Sequence, residues 1–211
     1  MYMIKGLKNK KLVIVDFEAT QYTQELISIG AVKYGFDKDG EFQRFVKSVK
    51  EKKISKFITK YTGITNELMA EKAIPLEDML LEFERFVGNY RDVIFVCFGN
   101  FDRLILIKTK KANKSKSLLL NYMIDNIVDF QQSFYKYVRG DNNNQLSLRD
   151  ALKVFNIEPL NGSHDALVDA KNLAKLIDAC LDNPDTLISE WLKTIASNKA
   201  IPHPIKNMIL N

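Results

Sequence analysis

The chain has 211 residues, 46% of them hydrophobic and 27% charged, with a formal net charge of +5. That length and apolar content provide a full core and exclude a mainly disordered chain, while the longest apolar run, Val93 to Phe98, is far too short to cross a bilayer. The expectation is a soluble cytoplasmic protein with no membrane partner and an anionic partner favoured by the basic balance; Cys97 and Cys180, far apart in apolar runs, read as reduced core residues.

The first predicted element is a strand at 12–17. The stretch LVIVDFEAT runs four β-favouring apolar residues into Asp16 and Glu18, separated only by Phe17. In an extended chain alternate side chains share a face, so the two carboxylates project together from the end of a buried strand. Like charges there repel, and a divalent cation between them is one way to keep both ionised. Other acid-x-acid triplets, Asp37/Asp39, Asp39/Glu41 and Glu82/Glu84, fall in a turn-like DKDGE and a helical LEFERF and read as solvated surface. What distinguishes Asp16 and Glu18 is the preceding LVIV, because the carboxyl end of a central strand is where α/β sheets bind ligands.

Strands at 26–34 and 41–49 follow, joined by DKDG, which makes the first three strands a meander. Helices are predicted at 55–61, 66–72 and 76–87, the last opened by Pro75 and carrying Leu76, Met79, Leu80, Phe83, Phe86 and Val87 at helical spacing. A second buried strand, VIFVCF at 93–98, leads through GNFD into another helix. Asp102 has two readings: an aspartate at a helix N-cap, or a third carboxylate at the same end of the sheet as Asp16 and Glu18. Downstream, lysines at 108, 110, 111, 114 and 116 mark either a solvated helix and loop or a sequence-blind phosphate contact.

A short strand near 126–129, a helical FQQSFYKYV, a loop at 141–145 and helices at 146–155, 165–181 and about 185–197 complete the pattern, with an extended tail at 199–211. On a helical wheel Asp169 falls between Leu173 and Leu176, in the apolar face with Ala166, Ala170 and Ile177. A carboxylate there is costly unless hydrogen-bonded, paired with a lysine or bound to a cation. Asp165 reads as the N-cap of this helix. His164, in the preceding Gly-Ser loop, is either an ordinary loop histidine or a proton acceptor brought over Asp169, and an imidazole suits proton abstraction from water. His203, between two prolines, receives no role. The whole reads as one α/β domain with no internal repeat.

Together D-F-E at 16–18, G-x-F-D ending in Asp102 and H-x-A-x-x-D from His164 to Asp169 resemble the DEDDh 3′–5′ exonucleases of the ribonuclease H-like superfamily. VDFEAT, ELISIGAVKY, KYTGIT at 60–65 and SLRDALKVFNIEPLNGSHDALVDAKNLAKL extend the likeness over roughly 11–181, closest to the subgroup of ERI-type exoribonucleases and bacterial sporulation-inhibitor-like proteins. CFGNFD departs from the family's frequent tryptophan before the glycine, a slot that Phe98 fills.

The resemblance implies an α/β, ribonuclease H-like three-layer fold, with a central mixed sheet flanked by helices. It implies an exonuclease domain over 1–183, with 184–211 a C-terminal helix and tail packed on it or extending from it. It implies that Asp16, Glu18, Asp102 and Asp169 hold two Mg²⁺ or Mn²⁺ ions and that His164 is the general base. Glu18, with Ala19 and Thr20, addresses the terminal nucleotide and its 3′-hydroxyl, while Phe17 points to the opposite face and packs in the core. The implied partner is single-stranded RNA or DNA with a free 3′ end, RNA ahead of DNA, cut to nucleoside 5′-monophosphates. The alternatives are a regulatory or binding protein acting through a protein partner, and a DNA proofreading module.

Overall fold

A computed structural model describes residues 4, 6–140, 143–162 and 164–197. The expected tail at 199–211, with His203, and the first part of the 141–145 loop lie outside the described residues.

The sheet is built from β1 (Leu12–Ala19), β2 (Leu26–Tyr34), β3 (Glu41–Phe45), β4 (Ile94–Cys97) and β5 (Val128–Asp129), in the order β3-β2-β1-β4-β5. β1 pairs antiparallel with β2, and β2 with β3, whereas β1–β4 and β4–β5 are parallel, so the sheet is mixed as expected. The helices are α1 (Lys56–Thr62), α2 (Asn66–Lys72), α3 (Leu76–Val87), α4 (Phe101–Asn113), α5 (Leu118–Asn126), α6 (Phe130–Tyr135), α7 (Leu148–Lys153), α8 (Ala166–Asp182) and α9 (Pro184–Ser197).

Alternation along β1 divides the core into two layers. Val13, Val15 and Phe17 face α3, α4 and α5, packing with Met79, Phe83, Leu106 and Met123. Leu12 and Ile14 face α8 and α6, packing with Leu173, Ile177 and Phe130, and Leu187 of α9 joins this second layer. Residues 12–15 are fully buried, each apolar side chain contributing about 1.5–3 kcal/mol of transfer energy. Asp16 and Glu18 continue the α8 face past the point where the apolar residues stop.

Gly30, paired with Asp16 across the β1–β2 ladder, lies against the first turn of α8. A Cβ there would lie 2.1 Å from the Ala166 carbonyl carbon and from the Leu167 nitrogen. The missing side chain lets the first turn of α8 rest directly on β2, and so fixes Asp169 beside the end of β1.

The helices read at 130–138 and 146–155 are shorter, Phe130–Tyr135 and Leu148–Lys153, and two further segments also differ from the sequence reading. β3 stops at Phe45, because Val46 forms a single bridge to Ile74 and the chain then leaves the sheet. The unforeseen α5 is opened by Ser117, whose hydroxyl accepts from the Leu120 amide, and buries Leu119, Leu120, Met123 and Ile124.

Candidate active site

The end of β1 delivers two carboxylates to a cleft of about 510 Å³ that also receives Asp102 from α4, Asp169 from α8 and His164 from the loop before α8. All five residues singled out in the sequence line this one space. A larger groove of about 670 Å³, between α2 and the 47–54 segment, contains none of them.

Each residue is placed by local structure. Asp102 is not the cap of α4: Asn100 occupies that position, and Asp102 sits in the first turn with only 5% of its surface exposed. The turn before it depends on Gly99 (φ +120°), whose amide donates to Asp129 Oδ1 at 3.0 Å. Asp165 does cap α8, its Oδ1 accepting from the Leu167 and Val168 amides. Asp169 lies one turn further, half-buried, and its Oδ2 accepts the His164 amide at 2.9 Å. His164 adopts a left-handed backbone (φ +67°) that turns the chain into this contact. Its ring stacks on Tyr61 of α1 with centroids 3.7 Å apart.

Donor atoms of Glu18, His164 and Asp169 all lie within 4.8 Å of one another, and Asp16 and Asp102 lie in the same cleft. Burial raises the Asp16 carboxyl well above its ordinary range, and the charges of Asp102, Glu18, Asp169 and Asp165 raise it further. Burial, then Asp169, Asp102 and Asp165, push Glu18 up to about 8. Burial and the nearby Asp129 raise Asp102 to about 7, against opposing backbone hydrogen bonds. Asp169 is raised mainly by burial, while the His164 amide and Asn172 oppose the shift. Among the described residues, no lysine or arginine lines this cleft. Four converging carboxylates without a side-chain cation fit a hard divalent metal ion, which prefers oxygen donors.

Ala19 and Thr20 border the same cleft, but Thr20 is 97% buried by its 3% exposure and its hydroxyl is committed to the 20–25 turn, accepting from the Glu25 amide at 3.0 Å. Sequence reasoning missed Tyr61, Phe57 and Phe101, all at the cleft and 51%, 60% and 49% exposed, and Asp129 behind Asp102. The KYTGIT segment, which contains Tyr61, was the available signal. Phe17 is buried in the first core layer, as its alternation with Asp16 and Glu18 requires.

The family model described as Exonuclease matches residues 13–177. The protein "ERI1 exoribonuclease 2" of Danio rerio is 26% identical over 220 aligned residues, covering 91% of this chain and 39% of that protein, so the chain spans about two fifths of its relative's length. Among solved structures, the nuclease domain of 3′hExo, a DEDDh family member bound to rAMP, is similar with a TM-score of 0.72 at 18% identity, covering 82% of this chain and 92% of that one. Exonuclease I of E. coli, in complex with a dA16 oligonucleotide, is similar with a TM-score of 0.63 at 16% identity, covering 94% of this chain and 45% of that one. These likenesses establish a ribonuclease H-like nuclease fold. Since the family match runs from the start of β1 into α8 and takes in every acid of the cleft, the chain belongs to the exonuclease family.

Proposed function

We propose that this protein is a metal-dependent 3′–5′ exonuclease that removes nucleoside 5′-monophosphates from single-stranded nucleic acid, with RNA preferred to DNA. The observation that carries this reading is the convergence of Asp16, Glu18, Asp102, Asp169 and His164 in one cleft of an exonuclease-family chain. RNA is preferred because a relative is named an exoribonuclease.

Asp16, Glu18, Asp102 and Asp169 would hold two Mg²⁺ or Mn²⁺ ions. When bound, such ions lower the pKa of the attacking water and neutralise charge on the leaving oxygen. His164 takes the proton of that water as its oxygen bonds to phosphorus and the bond to the penultimate 3′ oxygen breaks. Glu18 and the backbone at Ala19 and Thr20 meet the terminal 3′-hydroxyl. Exposed Phe57 and Phe101 offer sequence-tolerant stacking faces to the bases. We place the activity in the cytoplasm, where the buried thiols of Cys97 and Cys180 remain reduced.

Digestion of matched 5′-labelled RNA and DNA strands with Mg²⁺, Mn²⁺ or EDTA tests this function. A ladder shortening from the 3′ end only with metal supports it. Internal cuts, or no cleavage of either strand, would contradict it.

A further inference from the structure

The acids sit at the middle of a trough with two arms. One arm runs to Ala19 and Thr20; the other, about 310 Å³, runs past Phe98 to Ser147, Leu148 and Arg149. Asp16, Phe98, His164 and Asp169 line both. Arg149 carries the only lysine or arginine charge among the described residues lining either arm. It is exposed on α7, and its neighbour Asp150 is already engaged, accepting from Lys153 Nζ at 3.0 Å and from Ser147 Oγ at 2.7 Å.

This inference rests on the exonuclease reading, which fixes the direction of the strand. With the last nucleotide beside Ala19 and Thr20 and the scissile phosphate at the acids, the next phosphodiester upstream lies in the Arg149 arm. There it faces the field of the carboxylates, away from any charge neutralisation at the scissile group. A guanidinium offers two parallel N–H donors matched to phosphate oxygens.

We propose that Arg149 binds the phosphodiester one nucleotide upstream of the bond being cut. The site takes the sugar–phosphate backbone without reading the base. It makes a strand of three or more nucleotides a better substrate than a dinucleotide, whose single phosphodiester is the scissile one.

The test compares kcat/KM for the first cleavage of a trinucleotide and of a dinucleotide lacking a 5′-phosphate, in Mn²⁺. A hydrogen bond to a charged group leads to a wild-type preference of about tenfold for the trinucleotide. Arg149→Ala is expected to bring that ratio close to one, and Arg149→Lys to keep part of it. An unchanged ratio in Arg149→Ala, or an equal fall for both substrates, overturns the assignment. If the wild type cleaves the trinucleotide with no preference over the dinucleotide, the assignment fails while the exonuclease reading stands. If it cleaves neither these nor longer strands, the exonuclease reading fails and this assignment falls with it.

Discussion

The imidazole of His164 lies over the phenol ring of Tyr61, with centroids 3.7 Å apart and planes 29° from parallel. The two residues come from segments a hundred positions apart in the chain. Tyr61 in turn stacks on Phe57 at 6.0 Å, so α1 supplies a wall that holds the proposed base against the acids.

Tyr61→Ala is expected to lower kcat by about 3- to 10-fold, the worth of one aromatic pair. Because Tyr61 is half-exposed, Tm should change little. Tyr61→Phe keeps the stacked face and should retain most of the activity. A wild-type rate in the Ala variant would remove the positioning role, whereas an equal loss in both variants would assign the work to the hydroxyl.

Asp102→Asn removes a charge while preserving shape. Activity should fall by ~100-fold or more, at or beyond the loss caused by deleting an outer partner of a metal ligand. The metal-free fold should be no less stable, since burial already disfavours the ionised carboxyl. Paired melts with EDTA and with Mn²⁺ check both points: the rise in Tm on adding metal should shrink in the variant.

The acids also predict how the metal-free protein responds to pH. Glu18 has an ordinary pKa of 4.5 and is pushed up to about 8 in the fold. Between those values the folded state holds a proton that the unfolded state has released, so stability falls as pH rises through this window. Asp16 and Asp169 shift in the same direction. In EDTA, Tm should therefore decline by several degrees from pH 5 to pH 8, and a saturating divalent ion should flatten the decline. A metal-free Tm that rises across the same range would contradict these shifts.

Gly30→Ala sets a methyl group 2.1 Å from the backbone of Ala166 and Leu167. The first turn of α8 must move, at about 1–3 kcal/mol for overpacking. Asp169 and His164 move with it, and a displacement of ~1 Å can cost on the order of 100-fold in rate. Denaturant melts and kcat together test this, because a stability loss with unaltered kcat would mean that α8 yields without carrying the site.

Much of the fold was legible because its boundaries are set locally. β2, α2 and α3 start and end where the sequence pattern places them, α2 behind its Thr65 cap and α3 between Pro75 and Gly88. The four acids of the cleft were readable for a similar reason, since acids appear where a buried strand ends or where a helix should be apolar, whereas His164 stood out only through the H-x-A-x-x-D resemblance. Helix α5 was hidden because the lysine-rich stretch before it gave no sign that LLLNYMI resumes a helical face. Tyr61, Asp129 and Arg149 could not be assigned to the site from spacing, since each meets it through the packing of segments far apart in the chain.

The most direct measurement is the release of mononucleotide from a 3′-labelled single strand by wild type, Asp16→Asn and His164→Ala, in Mn²⁺ and in EDTA. Nucleoside 5′-monophosphate should be the first labelled product of the wild type, only with metal, and both variants should lose it while remaining folded. Release by wild type in EDTA, or undiminished release by both variants in Mn²⁺, would contradict an active site built from these residues.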